Sequence, residues 1–138
     1  MNADEVRAFL ETNHRVVLAT RRRDGGIQLS PILAVVDAEG RVVISSRETA
    51  MKVKNLRRDP YAYVCIINDN FWPQQGWAQA EGPVTIVSLP EAMDGLMDYY
   101  RRAAGEHPDW DDYRAAMERE KRCLIRFPIE RAGPNVAG

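Results

Sequence analysis

The densest run of chemistry in this chain is Met51-Lys52-Val53-Lys54-Asn55-Leu56-Arg57-Arg58, which gathers positive charge in a protein whose formal net charge is −1. Lys52 and Asn55 stand three residues apart, so on a helix they share a face, with Lys52 in the first turn. An ammonium, an amide donor and the free backbone N–H groups of a helix start together form an anion site. Ser45 and Ser46, just upstream, add hydroxyl donors. The same run also reads as a solvated amphipathic helix, with Met51 and Leu56 inward and the cations in water. Composition alone favours that plainer reading.

Other residues capable of chemistry are fewer. Phe71, Trp72 and Trp77 cluster around one loop, where they close over a planar ligand, seal a subunit interface or pack into the core. His107, Asp109, Asp111 and Asp112 fail as a metal site, because the carboxylates crowd a helix start where the macrodipole already favours them. His14 has no serine or cysteine placed to form a nucleophilic pair. Asp24-Gly25-Gly26 is a hairpin turn, not a phosphate loop. Cys65 and Cys123 sit in apolar runs without neighbouring ligands, as two buried, reduced thiols would. No metal is expected and no residue is assigned a catalytic role.

The elements that must position these residues are mostly strands. A helix is expected over residues 3–12, followed by strands over residues 15–20, 27–36 and 41–46 joined as an antiparallel meander. The basic run forms a helix over residues 49–58 that stops at Asp59-Pro60. Two longer strands follow, over residues 61–67 and 76–87, the second with a bulge or barrel corner at Glu81-Gly82-Pro83. Ser88 and Glu91 form a capping box for the next helix, a further helix starts near Asp109, and residues 121–129 make the last strand. Residues 132–138 form a loose tail. The fold expected is mainly β: a six-stranded antiparallel split β-barrel with short flanking helices, one domain over residues 1–138.

Bulk properties narrow the function. With 138 residues, 45% hydrophobic and 28% charged, the chain can bury a core without staples. The near-neutral balance argues against a general nucleic-acid or membrane-surface binder, and leaves single-stranded nucleic acid on the three aromatic residues as a weak alternative. No apolar run approaches the roughly 18 residues needed to span a bilayer. The acidic opening Met1-Asn2-Ala3-Asp4-Glu5 does not resemble a signal peptide, and the two reduced thiols set the expectation of a cytoplasmic location.

Taken in order, Val17-Leu18-Ala19-Thr20, the turn at Asp24-Gly25, Gln28-Leu29-Ser30 and the run from Lys52 to Pro60 resemble the FMN-binding split-barrel superfamily of pyridoxamine phosphate oxidase. The stretch from Tyr100 through Gly105-Glu106-His107-Pro108-Asp109-Trp110 to Tyr113 is similar to its actinobacterial branch, which uses the deazaflavin coenzyme F420. The resemblance implies a homodimer with cofactors between the barrels. It implies contacts from Gln28, Ser30, Pro31, Ser45 and Ser46, a phosphate held by Lys52 and Asn55, and Trp77 near the ring system. The implied activity is hydride transfer from reduced F420 to an unsaturated or planar organic substrate. FMN in the same fold, or a carrier that binds cofactor without turnover, are the alternatives. Pro31 departs from the polar residue expected there, removing a backbone donor and marking a strand edge.

Overall fold

The computed structural model describes residues 1–70 and 76–134. Helix α1 (Ala3–Leu10) opens with a capping box: Asn2 accepts from the Glu5 N–H while the Glu5 carboxylate accepts from the Asn2 N–H. Strands β1 (Arg15–Arg21) and β2 (Ile27–Leu33) form the expected hairpin. Gly25 takes φ +87° in its turn, and Asp24 Oδ1 accepts from the Gly26 N–H.

The chain then leaves the first sheet. At Ala34 the expected long strand breaks, and β3 (Val35–Val36) joins β4 (Val42–Arg47) in a second sheet. The expected meander is therefore corrected, since β4 pairs with β3 and with β8 (Arg122–Phe127) and not with β2. The cause is packing: Ala34 is fully buried and its N–H donates to the His14 carbonyl, which fixes a crossing point.

Helix α2 (Met51–Arg58) follows, then β5 (Tyr61–Ile67) and β6 (Trp77–Pro83). The corner expected at Glu81-Gly82-Pro83 is a second change of sheet, with β7 (Thr85–Val87) pairing β8. Helices α3 (Met93–Ala104) and α4 (Trp110–Arg119) form a hairpin over the second sheet. Asp109 caps α4 as expected, accepting from the Asp112 N–H. The Ser88–Glu91 capping box does not form, because the Ser88 hydroxyl donates to the Glu48 carboxylate at 2.6 Å, a charged acceptor. Part of the expected loose tail is strand β9 (Arg131–Gly133), bonded to β6; residues 135–138 lie outside the described part.

The result is a mainly β, α+β split barrel of two antiparallel sheets, ordered β2-β1-β5-β6-β9 and β3-β4-β8-β7. Its strands number nine among the described residues, against six expected, because two long strands each divide between sheets and the tail adds β9. The barrel is not closed. Between the sheets lies a core containing Leu18, Ile44, Leu56, Ile66 and Phe127, plugged by Val6 and Leu10 of α1. A second cluster, including Val43, Leu124, Leu96 and Tyr113, fixes the α3–α4 hairpin on the second sheet.

Gly82 lies where β6 crosses the segment after β8, and a Cβ there would overlap the Pro128 carbonyl oxygen. Backbone cannot swing aside as a side chain can. Gly82→Ala should therefore lower the unfolding free energy by about 2 kcal/mol or more. Urea denaturation checks this, and an unchanged midpoint would mean that the crossing is loose.

Candidate functional site

Helix α2 is held by a buried amide. Asn55 is 1% exposed. Its Nδ2 donates to Thr20 Oγ1 at 3.1 Å and to Gln28 Oε1 at 3.0 Å, while its Oδ1 accepts from Arg58 at 3.1 Å. Both amide hydrogens are therefore used inside the protein. Asn55 thus locks α2 onto the β1–β2 hairpin, with Val53 and Leu56 buried beside it, and its amide donates within the protein in this structure.

Lys52 is different. It sits half-buried at the start of α2 and makes no ion pair or side-chain hydrogen bond among the described residues. Burial lowers its pKa below the ordinary 10.5, and the Arg122 guanidinium lowers it further. Arg122 stands opposite Arg47 across β4 and β8. Both guanidiniums share one carboxylate, Glu120, at 2.8 Å from Arg122 and 3.5 Å from Arg47. Two cations thus share a single acidic partner, and their hydrogen bonds and charge, Arg122 foremost, hold the Glu120 carboxyl below its usual range, while Lys52 stays unpaired among the described residues. A half-buried ammonium without a counter-ion calls for an anion.

The other expected residues divide by strand alternation. Ser45 lies on the same face of β4 as Arg47, beside Arg122, and is half-buried. Ser46 points the other way and is 2% exposed, with its hydroxyl turned into the core. Ser30 and Gln28 face inward with Leu18 and Thr20, their partners on β1. Ser30 is 9% exposed, and Gln28 is half-buried and bonded to Asn55. Pro31 points outward from β2, which is an edge strand, as its missing N–H implied.

Trp77 begins β6, half-buried, three strands from β2 and so about 14 Å across the sheet from it. Within one protomer it does not meet Lys52's face of the molecule. Phe71 and Trp72 lie outside the described residues. Cys123 is buried as expected; Cys65 is only half-buried, because alternation along β5 places it on the outer face.

Two residues near the site carried no signal in the sequence. Arg122 is reached only through the β4–β8 pairing, some 70 residues from Lys52 in the chain. Tyr99 donates to the Leu33 carbonyl at 2.9 Å, tying α3 to the end of β2. Burial raises its pKa, opposed by Arg122 and by the adjacent Ser45 backbone. Tyr99 is held in place by the segment that follows it. Tyr100 packs 4.9 Å from His107 and 5.2 Å from Tyr113 between ring centroids, and Tyr113 donates to the Leu96 carbonyl at 2.7 Å. The histidine and aromatic residues of the 100–113 stretch are thus a clamp at the α3–α4 turn. No group of histidine, cysteine and carboxylate residues able to hold a metal occurs among the described residues. No helix there is long and apolar enough to cross a membrane.

The outer face of the five-stranded sheet is largely apolar and exposed across β2, β1 and β5, and turns polar at Gln79, Glu81 and Arg131. Leu29 is 67% exposed, Leu33 48%, Ile27 43% and Ile67 37%, with Pro31, Val17 and Cys65 on the same side.

The family model for pyridoxamine 5'-phosphate oxidase matches residues 3–134, nearly the whole chain. The chain belongs to the pyridoxamine 5'-phosphate oxidase family. Solved structures share its fold. The conserved hypothetical protein Rv2991 from Mycobacterium tuberculosis superposes with a TM-score of 0.77 at 22% identity, over 100% of this chain and 93% of that one. An F420 reductase gives 0.69 at 20% identity, over 91% and 94%. HutZ, the heme storage protein from Vibrio cholerae, gives 0.68 at 16%, over 96% and 94%. Family and fold together support a role in oxidoreduction or flavin binding.

Lys52 also sets a pH dependence. Its folded pKa lies below its unfolded value of 10.5, so its charge costs the folded state at neutral pH. That cost disappears as pH rises through the folded pKa toward 10.5. Lys52→Met should therefore be at least as stable as wild type at neutral pH, with the difference closing at alkaline pH. Parallel urea titrations at both pH values check this; a marked loss of stability at neutral pH would reveal a counter-ion inside the protein.

Proposed function

We propose that this protein is an F420-dependent oxidoreductase that holds the cofactor phosphate at Lys52 and reduces an unsaturated or planar organic substrate. The observation that carries this reading is the half-buried Lys52 ammonium beside Arg122, which forms no ion pair with a carboxylate among the described residues. The residues present fit such a group. Lys52 and Arg122 offer charge-assisted bonds to phosphate oxygens, Ser45 a hydroxyl, and the outer end of β2 a flat apolar edge. Gln28, through its amide nitrogen, and the backbone at Ser30 and Pro31 would line the cofactor beyond the phosphate. When bound, reduced deazaflavin supplies a hydride, and the protein contributes orientation and exclusion of water.

The reading includes a homodimer. The exposed apolar face of the five-stranded sheet suits a second copy, because contiguous apolar surface of this kind marks an interface. Trp77, on that sheet and remote from Lys52 within one protomer, would then reach the partner's cofactor. The F420 reductase among the structural relatives supports the choice of deazaflavin, and FMN in the same site is the principal rival.

Fluorescence titration with F420 and with FMN should show tighter binding of F420. Lys52→Ala should weaken it by about ten- to a hundredfold, the worth of one charge-assisted bond. Unchanged affinity in that variant would remove the phosphate assignment. A yellow flavin or a Soret band in the purified protein would instead indicate FMN or heme. Sedimentation should show a dimer that Leu29→Asp converts to monomer with its secondary structure intact; a monomeric wild type would overturn the interface.

A further inference from the structure

The two sheets part where one more pair of residues could have joined them. Strand β3 meets β4 with Val35 opposite Val43 and Val36 opposite Val42. Continued back along the chain, that register sets Leu33, the last residue of β2, opposite Ser45. No such pair forms, since β2 and β4 lie in different sheets and the chain crosses between them at Ala34.

The Tyr99 hydroxyl occupies the gap. It donates to the Leu33 carbonyl at 2.9 Å. Burial raises its pKa, so it remains a donor at neutral pH, while Arg122 and the Ser45 backbone pull the other way. A backbone group lowers a phenol's pKa by aiming its N–H at the oxygen, so this hydroxyl lies between the Leu33 C=O and the Ser45 N–H. A direct N–H···O=C bond spans about 2.9 Å, and a hydroxyl set between the two groups roughly doubles that.

The phenol is not placed by the strands it separates. Its ring packs against the cluster that contains Val43, Leu96 and Leu124. Helix α3 is itself fixed by the Tyr113 hydroxyl, which donates to the Leu96 carbonyl. Ser45 is the residue affected. Its side chain shares the face of β4 that carries Arg47, next to Arg122, the guanidinium that also faces Lys52. Its hydroxyl makes no hydrogen bond among the described residues. A completed rung would draw Ser45 toward β2 and away from those cations.

We propose that Tyr99 is a positioning residue for the anion site: in place of the Leu33–Ser45 rung, its hydroxyl keeps β2 and β4 apart and presents Ser45 beside Arg122. The proposal rests on the reading of Lys52 as the phosphate anchor.

Tyr99→Phe removes the hydroxyl and keeps the ring in its cluster. In fluorescence titration it should bind F420 about three- to tenfold more weakly than wild type. Ser45→Ala should lose a similar factor, and the double variant no more than the larger single loss, because one residue acts through the other. Losses that multiply, or unchanged affinity in Tyr99→Phe while Lys52→Ala weakens binding, would overturn the proposal and leave the phosphate reading standing. Affinity unchanged by Lys52→Ala overturns the phosphate reading instead, and the seam is then decided on the cofactor-free protein. There, a long-range HNCO spectrum should show coupling through a hydrogen bond from the Ser45 N–H to the Leu33 carbonyl in Tyr99→Phe and none in wild type. Coupling in wild type, or its absence from the variant, overturns the proposal whichever cofactor binds.

Discussion

The carboxamide of Asn55 is sealed between α2 and the β1–β2 hairpin, and the placement of positive charge depends on it. It satisfies Thr20, Gln28 and Arg58 together, so α2 cannot rotate or slide without leaving buried polar atoms unpaired. That one orientation turns Lys52 under the helix toward Arg122 and turns Lys54 and Arg58 toward the hairpin. A helix with so many cations would otherwise scatter them into water. Here a neutral group fixes which of them are bonded within the fold and which are left unpaired.

The sheets are arranged to the same end. Each change of sheet, at Ala34 and at Val84, brings distant parts of the chain together. The first carries β4 against β8 and so brings Arg47 and Arg122 to one carboxylate. The second lets β7 seal the far edge of β8, under the α3–α4 hairpin. Arg57 completes the link by bonding to Glu48, which in turn accepts from Ser88. Arg57 and Arg58 are thus committed to the fold, while Lys52 and Lys54 have no bonded partner among the described residues.

Local signals were therefore read well, and long-range ones were not. The hairpin at Gly25, the Asp109 cap, the basic helix and the corner at Gly82 all depend on neighbours in sequence and appear where expected. The division of two long strands between sheets, and the roles of Arg122 and Tyr99, depend on pairings across tens of residues that no local pattern encodes. Ser46 and Asn55 show a subtler limit. Their chemistry suits an anion, but alternation along β4 buries one, and a partner on each side consumes the other. A donor's availability is a property of the fold, not of the residue type. The resemblance of the chain to split-barrel proteins implied a set of residues without distinguishing these cases.

Pro31 carries a consequence for how copies of this protein meet. It stands on an edge strand, where a row of unpaired N–H and C=O groups invites a neighbour to continue the sheet. Proline interrupts that row at its midpoint, while Leu29 and Leu33 on either side offer side chains instead. Contact along this border is thereby steered away from strand addition, which can propagate from copy to copy without limit. It is steered toward packing of surfaces, which can close on itself at a fixed number of subunits. A missing hydrogen atom thus disfavours open-ended strand addition along this edge.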